Sequence, residues 1–307
     1  MNPGVLYAAL AFVMWGLYPL YFRVVASVPA HELVLQRSVW SFVFIVALLT
    51  VLRRWSWLTE IARAPRQLWT FVVSALLISG NWLLYIVAVN GGHVLEASLG
   101  YFINPLLNVA LGVLVLREKL RRAQWAAVAL AVLGVVWLTV VAGRLPWIAL
   151  ALAGLFAAYG LVRKTAKLGA LEGLSLETFL LALFGLPLLL WWTFARHGVW
   201  TQGEPGQAGW LVLSGPLSAL PLLFFAMAAR RLPLATLGLV QYLSPTIQLL
   251  LGVWVFREPF SSSRLVGFGF IWAALALVSV DALRQSLRSS AATPTPAAPP
   301  PAPAPPR

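Results

Sequence analysis

The sequence predicts an all-α membrane protein, with ten transmembrane helices arranged as two inverted five-helix repeats and a disordered Pro/Ala-rich C-terminal tail. Three observations carry that expectation. The composition is too apolar for water, runs long enough to cross a bilayer recur along nearly the whole chain, and the two halves match each other at a constant spacing.

Hydrophobic residues make up 61% of the 307 and charged residues only 10%, against about 45–50% apolar in a soluble domain. Lipid is the solvent that covers such an excess. The net charge of +13 would point to nucleic acid in a soluble protein. Here the basic residues sit in short loops between apolar runs, where they read as topology signals facing anionic headgroups and the cytoplasm. Membrane lipid is therefore an expected partner and nucleic acid is not. The chain has no cysteine, which excludes disulfides, thiolate metal sites and cysteine nucleophiles. A cleavable signal peptide is not expected, because Met1 to Gly4 carries no basic side chain and the apolar run from Val5 is long enough to remain as a span.

Apolar windows place spans near 4–22, 34–52, 68–88, 95–116, 124–142, 146–162, 174–194, 209–228, 234–256 and 265–283, each near the ~20 residues needed to cross the hydrocarbon layer. The seventh contains Pro187, and Arg196–Gly209 after it is the longest core loop. With the amino terminus inside, sixteen basic residues fall on the cytoplasmic side: Arg53, Arg54, Arg63, Arg66, Arg117, Lys119, Arg121, Arg122, Arg163, Lys164, Lys167, Arg230, Arg231, Arg284, Arg288 and Arg307. Five face outward, namely Arg23, Arg144, Arg196, Arg257 and Arg264. That bias puts both termini in the cytoplasm of a multi-pass protein of the inner (cytoplasmic) membrane. From Ser289 the chain reads SSAATPTPAAPPPAPAPPR, which is expected to be disordered and partly polyproline II.

The internal repeat is the most informative feature. LGYFINPLLNVALGVLVLREKL (Leu99–Leu120) matches LVQYLSPTIQLLLGVWVFREPF (Leu239–Phe260) without a gap: Pro105 with Pro245, Gly112 with Gly252, and Arg117-Glu118 with Arg257-Glu258, since 245 − 105 = 258 − 118 = 140. The same offset pairs Arg23 with Arg163 and Glu32 with Glu172. Five spans per repeat make the second copy enter from the opposite side, so the repeats are inverted. The loop after span 4 is accordingly more basic than its counterpart after span 9. The expected units are a first repeat over 4–142, a second over 146–283, and the tail over 289–307. Two such halves can exchange conformations, which is how alternating access is commonly built.

A proline in the fourth helix of each half, a glutamate where that helix ends and a following helix of small residues resemble the EamA family of the drug/metabolite transporter superfamily. Here those residues are Pro105 with Glu118 and Pro245 with Glu258, followed by Gln124-Trp125 to Gly134 and Gly267 to Ala274. The runs SGNWLLYIVAVN, LEASLGYFINPLLN and YGLVRK are similar to the RarD subgroup. The resemblance covers about residues 4–283 and implies a ten-helix inner-membrane permease, often linked by label to chloramphenicol sensitivity. One departure is that many members carry glycine before the glutamate, where this chain has Arg117 and Arg257.

Arg37 lies about one turn inside span 2, and a charge there needs a partner or water. It reads either as a gate or anionic-substrate contact, or as a side chain snorkelling to the interface. Glu177 holds the matching place in span 7, and inversion disfavours a direct bridge between the two. Glu96 opens span 4, where a carboxylate caps a helix or couples to a proton. His93 reads as a loop residue. Asn81, Asn104, Asn108 and Gln241 are uncharged polar groups in apolar runs. Asn104 and Gln241 sit beside the helix-breaking prolines, where a lost hydrogen bond exposes a carbonyl near mid-membrane. Trp15, Tyr18, Trp82, Tyr85, Tyr101, Phe102, Tyr159 and Tyr242 are candidates to line an aromatic cavity around them. Trp55, Trp57, Trp69, Trp147 and Trp200 read as an interfacial belt.

The functional expectation is a secondary transporter that exports a small metabolite or drug-like molecule, with a proton as the guessed coupling ion. It is not expected to be an enzyme, to hold a metal or to need a cofactor. No GxxxxGK[ST] run supports ATP-driven transport, and His31, His93 and His197 lack ligand spacing. The alternatives are a solute-binding receptor or scaffold and, further off, an intramembrane lipid-modifying enzyme.

Overall fold

The structure, a computed structural model, describes residues 2–63, 65–90, 94–143, 147–196, 199–202, 206–257 and 262–291. Expectations for His93, His197, Glu258, the side chain of Glu96 and the tail beyond Ala291 lie outside the described residues. The described backbone is helices joined by short turns and loops, with no strand among the described residues. The helices are α1 Pro3–Val24, α2 Ala30–Val51, α3 Trp57–Arg63, α4 Pro65–Asn90, α5 Val94–Leu114, α6 Arg122–Ala142, α7 Trp147–Thr165, α8 Ala170–Arg196, α9 Val199–Gln202, α10 Gln207–Ala229, α11 Leu234–Gln241, α12 Leu243–Trp254 and α13 Ser262–Ala291. Among the described residues, eight stretches are long and apolar enough to cross a membrane. Shorter apolar stretches, Gly100–Leu114 and Leu265–Asp281, stand where the fourth and tenth spans were expected.

Three findings depart from the expected elements. The ninth span is broken: α11 stops at Gln241 and α12 starts at Leu243, because Pro245 has no N–H to offer the Gln241 carbonyl. Short helices α3 and α9 occupy the loops after the second and seventh spans. α13 runs on through Ala291, so the first three residues of the expected tail are helical.

The helix ends follow local chemistry. Asn2 caps α1 by accepting the Gly4 N–H at 2.9 Å, with Pro3 in the first turn. α2 ends in a Schellman-type turn: Arg53 has φ 53°, its N–H donates to Thr50 O and that of Arg54 to Leu49 O. The ends of α5 and α12 repeat each other. Leu116 and Phe256 donate to Leu111 O and Leu251 O, and Arg117 and Arg257 both take φ 55°. The left-handed conformation explains why glycine suits this position; a side chain there costs roughly 1 kcal/mol.

Glu118, just past that turn, accepts from Leu234 N at 2.7 Å and Ala235 N at 3.0 Å, the open amides that begin α11. A carboxylate at a helix amino terminus satisfies donors that hydrocarbon would leave unmet. Gly112 makes room for it, since a Cβ there would lie 2.6 Å from Glu118 Oε2.

Packing respects the repeat. α1 packs on α10 and α12, and α7 on α4 and α5; α2 packs on α10, and α8 on α4. The pairs α2 with α8, α5 with α11, and α6 with α13 join equivalent helices. In the last, a Cβ on Gly134 would sit 2.8 Å from Gly267 O, a close approach that small residues permit. The exterior stays apolar, with Val51, Leu114, Phe194 and Trp254 all exposed. Of the expected tryptophan belt, Trp55, Trp69, Trp147 and Trp200 are exposed, whereas Trp57 is buried in the main core, where the short α3 turns it inward.

Two substitutions test these ends by thermal unfolding in detergent. Glu118→Ala is expected to lose about 1–2 kcal/mol by uncapping α11. Arg117→Gly is expected to be neutral or to gain up to about 1 kcal/mol, because glycine relieves the left-handed backbone.

Candidate functional site

A cavity of about 220 Å³ opens between the two halves. The second half of α1 supplies Trp15 and Tyr18, the start of α2 Arg37, and the second half of α4 Asn81, Trp82 and Tyr85. α5 supplies Tyr101 and Asn104, α7 Phe156, and the α11–α12 break Gln241, Pro245 and Gln248. The prolines explain the polar lining. Pro105 and Pro245 each deprive the carbonyl four residues earlier of its helical donor, and those residues are Tyr101 and Gln241, both at the cavity wall.

Arg37 lines this cavity. Its Nε donates to Ser218 Oγ at 2.8 Å, and its guanidinium lies 5.0 Å from the Trp82 ring centroid, 5.6 Å from Tyr18 and 5.9 Å from Phe22. Cation–π contacts of this kind stabilise a half-buried charge without neutralising it. Tyr18 donates to Leu217 O at 2.6 Å, which joins α1 to α10 and fixes its ring.

The amides divide between tying helices and lining the wall. Asn81 Nδ2 donates to Leu152 O at 2.8 Å, Asn108 Nδ2 to Gln241 Oε1 at 2.8 Å, and Gln248 Nε2 to Trp15 O at 3.2 Å. Asn104 is buried, and its Oδ1 has no hydrogen-bond partner among the described residues.

Eight of the ten residues expected to bind substrate line this cavity: Trp15, Tyr18, Asn81, Trp82, Tyr85, Tyr101, Asn104 and Gln241. Tyr242 does not; it is buried between the halves and donates to Phe102 O at 3.2 Å, its own repeat equivalent. Tyr159 does not either, because its hydroxyl is taken by Glu177 at the far end of the bundle. Ser218, Gln248 and Phe156 are lining residues that the sequence reading missed. Gln248 had a signal, as the repeat equivalent of Asn108 (248 − 108 = 140).

The opposite end, built by the start of α4, the end of α7 and the start of α8, is tied by a buried ion pair. Arg163 and Glu177 are each 1% exposed. Arg163 Nη1 donates to Glu177 Oε1 at 3.3 Å and Nη2 to Ala170 O at 2.8 Å. Ser74 and Tyr159 donate to the same carboxylate, and the Phe71 ring lies 5.7 Å from the guanidinium. Such a pair survives burial only with this much hydrogen bonding. Gly173 is required beside it, since a Cβ there would meet Arg163 Nη1 at 2.2 Å and Phe71 at 2.5 Å. Around it, Arg54 pairs with Glu172 at 2.6 Å, and Lys164 donates to Leu232 O and Ala229 O and lies 3.6 Å from Glu118. Arg37 and Glu177, matched by the repeat, each bond a serine on the third long helix of the other half, Ser218 and Ser74.

Among the described residues, no group of three or more His, Asp or Glu side chains could hold a metal. His31 packs edge-on against Trp192 with centroids 4.1 Å apart.

Comparison with known proteins agrees with this architecture. The model of the EamA-like transporter family matches twice, over residues 2–140 and 145–280. The chain is 48% identical to Protein RarD of Streptomyces exfoliatus, covering 94% of this chain and 91% of that protein. It is 48% identical to an uncharacterized transporter of Pseudomonas aeruginosa, at 94% and 96% coverage, and 44% identical to Protein RarD of Escherichia coli strain K12, at 94% and 97%. A solved crystal structure, 19% identical, superimposes with a TM-score of 0.66 over 92% of this chain and 98% of that one, which extends the likeness to the fold. With the family pattern present in each half and RarD proteins matched along nearly their full length, the chain belongs to the EamA-like transporter family, in its RarD group.

Proposed function

We propose that this membrane transporter works by alternating access, as ten spans in two inverted five-helix repeats that export a small metabolite or drug-like molecule across the cytoplasmic membrane. Residues 4–142 and 146–283 form the two repeats, and both termini lie in the cytoplasm. The observation that carries the reading is the asymmetry of a repeat-matched bundle: one end holds an aromatic and amide cavity, while the other is tied by Arg163–Glu177 and its neighbours. Exchanging the conformations of the halves moves the closure to the other end. Under the positive-inside assignment the cavity faces outward and the tied end faces the cytoplasm. Export as the direction rests on the family resemblance. Glu177 is the candidate coupling residue within the tie, and Arg37 the gating residue at the cavity.

The chain has no cysteine, so introduced pairs carry spin labels uniquely. One pair, Ser56→Cys with Lys167→Cys, spans the tied end; both positions are exposed. Glu177→Gln removes one partner of a buried pair, which typically costs about 3–5 kcal/mol. Gly173→Ala displaces Arg163 by overpacking, at about 1–3 kcal/mol. Both variants are expected to lengthen the distance across the tied end, and purified protein in proteoliposomes is expected to exchange at least one solute of a broad metabolite and drug panel. A single unchanging distance in all variants together with zero flux would leave a solute-binding scaffold.

A further inference from the structure

The cavity also names the chemistry of its occupant, an argument that rests on the transport reading above. Among the described residues that line it, Arg37 is the sole charged side chain, and no described carboxylate forms an ion pair with it. Its Nε is spent on Ser218, while Tyr18, Phe22 and Trp82 surround the guanidinium. A half-buried cation held among rings, with no described carboxylate paired to it, is a site for an anion. The same rings offer faces to a flat apolar body. At about 220 Å³ the cavity is smaller than the roughly 300–1,000 Å³ of sites for drug-sized ligands, which limits the occupant to about one ring system.

The repeat supplies a second, independent argument. Arg163 and Glu177 tie the closed end. Their equivalents at the cavity end are Arg23 and Arg37, since 163 − 140 = 23 and 177 − 140 = 37. A closure that repeats the same geometry there brings two guanidinium groups together, where like charges oppose it. A carboxylate between them turns repulsion into a bridge, because guanidinium groups bind carboxylates bidentately. Arg23 now lies over the Phe256 ring, 5.3 Å from its centroid, just past the end of α12.

We propose that the cavity binds a small aromatic carboxylate, and that its negative charge, shared between Arg37 and Arg23, is what permits the cavity end to close. The empty carrier is held open at that end by its own like charges.

Phenylacetate, phenylacetamide and phenethylamine share one ring and differ in charge, so equilibrium binding of each to purified protein tests the class. Phenylacetate is expected to bind at least tenfold tighter than the other two. Arg37→Gln should erase the difference and Arg37→Lys should keep most of it. Spin labels on Ala26→Cys, in the turn after α1, and Val87→Cys, near the end of α4, both exposed positions, report closure. Phenylacetate should shorten that distance in the parent, and Arg37→Glu should shorten it with no ligand by copying the charge pattern of the tied end. Equal or tighter binding of the neutral or cationic probe, or a preference that survives Arg37→Gln in folded protein, would overturn the proposal. So would an Arg37→Glu variant that stays open. If phenylacetate fails to bind while other solutes exchange across proteoliposomes, the carboxylate class is wrong and the transport reading stands. If no solute moves either label pair, alternating access itself fails.

Discussion

Hydrocarbon offers no hydrogen bonds, and that constraint organises the molecule. Every helix end, every proline and every buried charge has to find its partner inside the protein. Glu118 capping the open amides of α11 answers it at a helix start. The turns at Arg53, Arg117 and Arg257 answer it at helix ends with their left-handed backbone. Glu177, which collects donors from Arg163, Ser74 and Tyr159, answers it for a buried carboxylate.

The same constraint makes the cavity polar where it is. Each proline frees a carbonyl that no lipid can satisfy, so the polar wall is forced to lie between the halves and not against the membrane. Asn108 Nδ2 donates to Gln241 Oε1 across α5 and α11, and Gly238 allows that crossing, since a Cβ there would lie 2.5 Å from Pro105 O. Arg37 is the exception, a charge balanced only by a serine and aromatic faces. Arg163, by contrast, has a carboxylate partner in Glu177. The incompletely balanced charge is where binding has something to gain.

Two ends built from equivalent residues but unequal charges give the bundle a direction. Arg163 faces Glu177 at one end, whereas the positions matched to them hold two arginines. Exact repeat symmetry would make the two closures equal in energy. Under the alternating-access proposal, the departure from it would link closure at the cavity end to what is bound there, since a ligand shifts such an equilibrium only through interactions that differ between the states.

Much was legible before any tertiary structure. Composition placed the chain in lipid, the 140-residue offset exposed the two halves, and the prolines at 105 and 245 pointed to where polar groups gather. Eight of the ten expected binding residues line the cavity because helix periodicity and proline chemistry are local properties. Only the folded chain decided which polar residues face the cavity and which tie helices. Tyr159 and Tyr242 read as well as Tyr18 in sequence, yet their hydroxyls are consumed by Glu177 and Phe102 O. Arg163 reads as a loop cation until the packing of α4 and α8 around it buries it at 1% exposure. Which side chain meets which depends on how separate helices cross, from 14 residues apart for Arg163 and Glu177 to 140 for Tyr242 and Phe102, and that is set by close packing at glycines such as Gly173 and Gly238, a property no single helix carries.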